Sequence, residues 1–203
     1  MARGRYSVGD ERRQHIVEAA AARFASEGYH RTAMTTIASD VGISEGGLLH
    51  HFRSKKHLLV AVAQERFESS ARWWDALPDD VIGLATLQYM VDATRRYLAE
   101  PGLISLLVLV NAEAADPSSP AHEVYAGRYD IAVQGLGERL RAGIDRDGLD
   151  PDIDYDAVAR ECLAVSDGLQ LQWVMSNEAI DIVAGVKAHI DRLGPALRRR
   201  GTT

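Results

Sequence analysis

Between residues 32 and 58 the chain reads TAMTTIASDVGISEGGLLHHFRSKKHL, and one glycine inside this stretch limits the folds available to it. Ile37, Ala38 and Val41 stand at helical spacing and give a short helix one apolar face. Gly42 ends that helix, because glycine enters the left-handed backbone region without steric penalty. Ile43 turns inward, and Ser44 is placed to cap a second helix beginning near Glu45. Leu48 and Phe52, four residues apart, pin that helix on the first. The spacing predicts a helix, a tight turn, a helix and then the start of a longer helix. This is a helix-turn-helix, an arrangement that sets one helix into the major groove of DNA.

The outer face of the second helix then carries Glu45, Gly46, Gly47, Leu49, His50 and His51, directed to solvent or to base edges. Ser44 serves both as a cap and as a group near a phosphate. Thr32, Thr35 and Thr36 are expected near phosphates at the start of the first helix, where hydroxyls and backbone N–H groups meet an anion favourably, and Thr32 can also cap it. Lys55 opens the longer helix that follows. The paired glycines lower helix propensity by about 1 kcal/mol each. They let the backbone approach DNA closely, and they imply a recognition helix that is loose when free and firmer when bound.

These residues resemble the TetR family of bacterial transcription regulators. Gly28-Tyr29, Thr32, Ile37-Ala38, Val41-Gly42-Ile43-Ser44, His50-His51-Phe52 and Ser54-Lys55 follow that family's pattern over the first quarter to third of the chain. The resemblance implies a palindromic operator, a Lys55 contact to the DNA backbone, and usually repression relieved by a small molecule. Three positions depart from the pattern: Glu45 where lysine is common, Gly47 where threonine or alanine is common, and Leu49 where tyrosine usually meets a phosphate. Glu45 repels phosphates but can accept a hydrogen bond from a cytosine amino group.

A net charge of −6 runs against nucleic-acid binding until its distribution is considered. Residues 1–60 hold nine Lys/Arg against six Asp/Glu, an excess of +3, and five of the seven histidines; the remainder holds fourteen against twenty-three, or −9. A mildly basic head on an acidic body suits DNA binding at one end. The single cysteine, Cys162, excludes an intrachain disulfide, suits a reducing cytoplasm, and sits among apolar residues as a buried thiol would. The longest apolar run, Leu103 to Val110, is too short to cross a bilayer. The opening MARGRYSVGDERRQ is basic without an apolar stretch behind it, so it reads as an arm able to reach a phosphate or the minor groove, and not as a signal peptide.

The remaining pattern is helical throughout, which predicts an all-α chain of about nine helices. These fall near 10–28, the two short helices above, 55–75, 81–100, 101–110 and beyond, 120–145, 154–176 and 178–198, with a frayed RRRGTT tail. The expected division is a helix-turn-helix DNA-binding domain at 1–54 and a helical ligand-binding and dimerisation domain at 55–203. In the family, a segment similar to Asp167–Trp173 lies in the subunit interface. Independently, Ile182, Val186, Ile190, Leu193 and Leu197 recur at near-heptad spacing. Leu169, Trp173, Ile182, Val186, Ile190 and Leu193 are therefore expected to join two copies in a four-helix bundle, with packing inside one chain as the alternative.

For an effector, Trp74, Met90, Tyr97, Leu106, Leu109, Val110, Glu113, Tyr125, Tyr129 and Trp173 combine apolar walls with a few polar groups, as a pocket does, and equally as a core or interface does. Glu113 would pair with a cationic ligand if buried and be a surface acid if not. His50, His51 and His57 lack ligand spacing for a metal. Asp150, Asp152, Asp154, Asp156 and Glu161 fall at calcium-loop positions, but Tyr155 stands where the loop's sharp turn needs glycine, so they read as a solvated acidic turn. No nucleophile elbow, P-loop or dinucleotide fingerprint is present, and no enzyme activity, metal or cofactor is expected. The reading is a homodimeric, effector-responsive repressor on operator DNA. A ligand-independent DNA-binding protein, or a non-DNA interaction protein on the same fold, is the alternative.

Overall fold

A computed structural model describes residues 8–99 and 101–199. The opening residues of the basic arm and the last four residues of the tail lie outside them. Ten α-helices are present among the described residues: α1 (Val8–Glu27), α2 (Met34–Asp40), α3 (Glu45–His51), α4 (Lys55–Asp75), α5 (Leu84–Leu98), α6 (Pro101–Ala114), α7 (Ala121–Arg141), α8 (Ile144–Asp147), α9 (Tyr155–Met175) and α10 (Ile182–Ala196). No described helix is long and apolar enough to cross a membrane. The chain forms two compact units, one from residues up to 72 with 101–124, the other from 73–100 with 125 onward.

The first unit is built on α1. Ile16, Val17, Ala20 and Phe24 form its buried stripe, and Ile37 and Ala38 of α2, Leu48 of α3, and Leu58 and Leu59 of α4 are buried in the same unit. Gly28 ends α1 with φ +86°, and its N–H returns to the Phe24 carbonyl at 3.0 Å. Arg23 ties α1 to the end of α2 through both carboxylate oxygens of Asp40, at 2.6 and 2.8 Å, and also pairs with Glu27. α6 packs closely on α1. The contact point is Gly102: a Cβ there would lie 2.5 Å from the Ala25 carbonyl oxygen and 2.6 Å from the Ala25 Cβ. Only a residue without a side chain lets the two backbones meet at this distance.

In the second unit, Leu87, Met90 and Val91 of α5, Val133, Leu136 and Leu140 of α7, Val158 and Ala159 of α9, and Val186 and Ile190 of α10 form one core. The predicted single helix over 120–145 is in fact broken. α7 stops at Arg141, and Gly143 meets Gly83 so closely that a Cβ on Gly143 would lie 2.6 Å from the Gly83 nitrogen. The separate turn α8 follows and ends at Gly148, φ +65°. Asp147 Oδ2 accepts the Leu84 N–H at 2.7 Å, so α8 caps α5 from 63 residues away and starts it three residues later than the sequence suggests. The last helix also starts late. Asn177 and Glu178 have positive φ, and Asp181 caps α10 by accepting the Ala184 N–H at 2.9 Å.

Several of the residues expected at the dimer interface are packed within the single chain. Ile182, Val186 and Ile190 of α10 and Trp173 of α9 are buried inside the chain at 1%, 3%, 9% and 5% exposure. Leu169 covers Gly185 of α10, and Leu193 packs on the same core. α10 spends this face on α5 and α9. A heptad-like pattern states that a helix has an apolar partner without stating which.

Candidate nucleic-acid interface and effector site

The turn between α2 and α3 forms as its residues require. Gly42 takes φ +67°, its N–H returns to the Ser39 carbonyl at 3.1 Å, and the Ile43 N–H returns to Ala38 at 3.0 Å. Ser44 Oγ accepts the Gly47 N–H at 3.1 Å and so caps α3. Leu48 and Phe52 are buried and hold α3 against the first unit. The opposite face is left open: Glu45, Gly46, Leu49 and His50 are exposed, Gly47 and His51 half-buried. A Cβ added at Gly46 would meet nothing closer than 3.9 Å, and one at Gly47 nothing closer than 3.4 Å. Neither glycine is required by packing.

Thr35 is exposed and Thr36 half-exposed in the first turn of α2. Thr32 is not placed as expected. It is 1% exposed and its hydroxyl donates to the Gly28 carbonyl at 3.0 Å, sealing the end of α1 and not the start of α2. The N-cap of α2 is Ala33, which offers no side-chain acceptor. Lys55, at the start of α4, lies with its ammonium 4.5 Å from the centre of the Tyr29 ring and donates to the His30 carbonyl at 3.4 Å. Partial burial lowers its pKa from the usual lysine range. Ser54 Oγ accepts the His57 N–H at 3.3 Å and caps α4.

Sequence reasoning missed two features of this unit. Arg13 stacks on Phe52, 4.8 Å from the ring centre, at a cleft of about 360 Å³ whose lining also includes His51, Arg53 and His57 and no acid. Lys56 pairs with Glu113, which brings the start of α4 to the end of α6. That pair raises the Lys56 pKa. Burial, then Glu113, raises that of the Tyr29 phenol. Glu113 is therefore neither a buried ligand for a cation nor a lone surface acid.

The effector candidates divide between the units. Leu106, Leu109, Val110 and Glu113 belong to the first, and the first and third of these are core. In the second unit Met90, Tyr125 and Trp173 are buried, Trp74 and Tyr97 are half-buried, and Tyr129 is at the surface. Tyr129 donates its hydroxyl to Asp167 of α9 at 2.5 Å. Burial holds the Asp167 carboxyl above the usual range, opposed by that hydrogen bond. Nearby on α9, Gln170 is buried and donates to Ser166 Oγ at 3.1 Å. Cys162 is buried 3.9 Å from His189 Nε2, and desolvation pushes its thiol up to about 12, leaving it protonated at neutral pH. Asp154 caps α9 through the N–H groups of Asp156 and Ala157, both at 3.0 Å, and Asp150 accepts the Asp152 N–H at 3.0 Å, so these acids are spent on turn geometry.

Comparison with known proteins agrees with the turn geometry. Residues 16–62 match the family model of bacterial regulatory proteins of the tetR family, and residues 106–195 match the C-terminal model of BetI-type transcriptional repressors. The chain belongs to the TetR family. This TetR-family chain is 24% identical over 210 residues to the HTH-type transcriptional regulator TtgR of Pseudomonas putida, with 98% of the chain and all of that protein covered. It superposes on a putative transcriptional regulator from Saccharomonospora viridis in complex with choline at TM-score 0.71, with 24% identity and 90% and 95% of the two chains covered. It superposes on the FadR regulator from Bacillus subtilis in complex with stearoyl-CoA at TM-score 0.72, with 17% identity and coverage of 89% and 97%. The chain is thus a DNA-binding transcription regulator with an N-terminal helix-turn-helix and a helical C-terminal part.

Proposed function

We propose that the protein is a homodimeric repressor that acts in the cytoplasm, binds a palindromic operator through α3, and leaves it when a small molecule enters the helical body. The observation that carries this reading is the capped, well-seated α3 with an open outer face. Ser44, Glu45, Gly46, Gly47, Leu49, His50 and His51 form the surface offered to the groove, with Thr35, Thr36 and Lys55 toward the backbone. Thr32 is left out because it is buried. The functional head is taken as 1–54 and the body as 55–203.

Two recognition helices must present themselves about 34–36 Å apart to read successive major grooves, which requires a twofold partner. The buried α10 stripe does not supply that surface. The exposed side of α9 is the better candidate, with Leu171 at 45% and Met175 at 75% exposure and open space beside Gly168. Exposed large apolar residues that recur along one helix face suit a partner. The two bound neighbours, one with choline and one with stearoyl-CoA, differ too much in chemistry to name an effector for this chain.

Fluorescence anisotropy on DNA from upstream of the protein's own gene, against scrambled DNA at two salt concentrations, tests the reading. Sequence-selective binding is expected. Lys55→Ala should weaken binding to both DNAs and reduce the steepness of the salt dependence by about 0.9 in log K per log salt. Equal, weak binding to both DNAs by the unaltered protein would remove the operator-specific role.

A further inference from the structure

Four basic side chains line one cleft of the first unit, and no acid answers them. Arg13 comes from α1, His51 from the end of α3, Arg53 from the turn after it and His57 from α4. The Arg13 guanidinium lies over the Phe52 ring, 4.8 Å from its centre. Stacking uses the flat face of that group and leaves its N–H edge able to donate. Arg53 is exposed, and among the described residues it makes no ion pair or hydrogen bond. Ser54 Oγ lies 2.8 Å from His57 Nδ1, and a hydroxyl that donates there leaves the ring proton on Nε2, a further donor. Most of the remaining lining is apolar. Phe52, Val60 and Ala61 are buried, and Pro120 and Val124 come from the start of α7. The cleft, at about 360 Å³, has the size of a small-molecule site.

Like charges gathered in one cleft beside low-dielectric walls raise the local potential and draw in an anion. An inorganic ion, or a phosphate of the DNA backbone, would use the charges and leave the apolar walls wet. An anion that carries its own apolar group uses both. We propose that this cleft is a ligand site of the DNA-binding unit itself, for a small organic anion whose carboxylate meets Arg13 and Arg53 and whose apolar part lies against Phe52 and Val60. His51 lines the cleft and also belongs to the α3 face offered to the groove, so an occupant meets the recognition element directly. A structural role for Arg13 needs only its stacking on Phe52, and the exposed Arg53 has no such role.

The test is calorimetric titration of the full chain with 2-naphthoate, with the uncharged 2-naphthamide and with inorganic phosphate, at matched ionic strength. One saturable site for 2-naphthoate is expected, with the amide and the phosphate each bound at least about 10-fold more weakly. Arg53→Gln should weaken 2-naphthoate about 10-fold while leaving the unfolding midpoint in place. Val124→Glu, which brings an acid into the lining, should weaken it by at least as much. The proposal is overturned if 2-naphthoate does not bind, if the amide binds as well, or if either variant binds 2-naphthoate as the unaltered protein does. Phosphate bound as tightly as 2-naphthoate would make the cleft a seat for the DNA backbone and would overturn it too. None of these measurements needs an operator, so failure of this site and failure of the regulator reading are seen separately.

Discussion

Replacing Gly102 by alanine puts one methyl group where α6 crosses α1. The added Cβ would sit 2.5 Å from the Ala25 carbonyl oxygen and 2.6 Å from the Ala25 Cβ, with the Ala25 Cα closer still. Non-bonded carbons rest at about 3.5–4.0 Å, so the helices must separate by roughly 1 Å. The obstacles belong to a helix backbone and to its Cβ, and no rotamer change relieves them. Overpacking of this kind costs about 1–3 kcal/mol. The gain in helix propensity on losing a glycine offsets about 1 kcal/mol at most. A net loss of up to about 2 kcal/mol lowers the Tm of a chain this size by up to roughly 8 °C. The same substitution at Gly127 of α7, where an added Cβ meets nothing within 4 Å, carries only the propensity term and should raise Tm by a few degrees. Thermal unfolding of the two variants side by side measures the difference in sign. If Gly102→Ala unfolds at or above the temperature of the unaltered protein, the close α1–α6 crossing is not real.

Ser44→Ala removes the cap of α3 and should cost about 1 kcal/mol, seen in denaturant unfolding, and weaken operator binding without altering its salt slope. Two carboxylates of the second unit should respond to pH with opposite sign. Asp147, held below the usual range by Arg146 and by the Leu84 N–H, contributes stability that is present above the ordinary carboxyl pKa and lost as pH falls through its lowered folded value. Asp147→Asn should therefore lower Tm near neutrality and little in acid. Asp167, held above the usual range, favours the fold while protonated and loses that contribution as pH rises through its raised folded value, so the Tm difference of Asp167→Asn should move the other way. Matching Tm-versus-pH curves for the two variants would contradict both assignments. Leu171→Glu should dissociate the dimer in analytical ultracentrifugation, while Ile190→Ala should lower stability first, because Ile190 is buried inside the chain. A Leu171→Glu protein that stays dimeric would move the interface off α9.

The helix-turn-helix was legible because its signals are local. Gly42 needs only its own φ, and Ser44 only the N–H three residues on. Thr32 was harder to place, because a threonine between two helices caps either the end of one or the start of the next, and the Arg23 and Gly28 carbonyls decided it. The break after Arg141 was hidden, since the need for Gly143 comes from Gly83, far away in sequence. The α10 stripe was visible as a stripe, but its partners α5 and α9 are a tertiary fact. The Tyr129–Asp167 hydrogen bond between α7 and α9 was likewise hidden, because its two members stand far apart in sequence.

The room beside Gly46 and Gly47 has a consequence for how such a regulator changes its target. A Cβ at either position meets the capping Ser44 hydroxyl, and at Gly47 also Ile43, only at ordinary contact distance, so the surface facing the bases can be rewritten while the fold beneath stays as it is. After a gene duplication, a copy with substitutions there could drift to a new address in the genome without first losing stability. The pair of glycines leaves the protein's addressing open to revision at little structural risk.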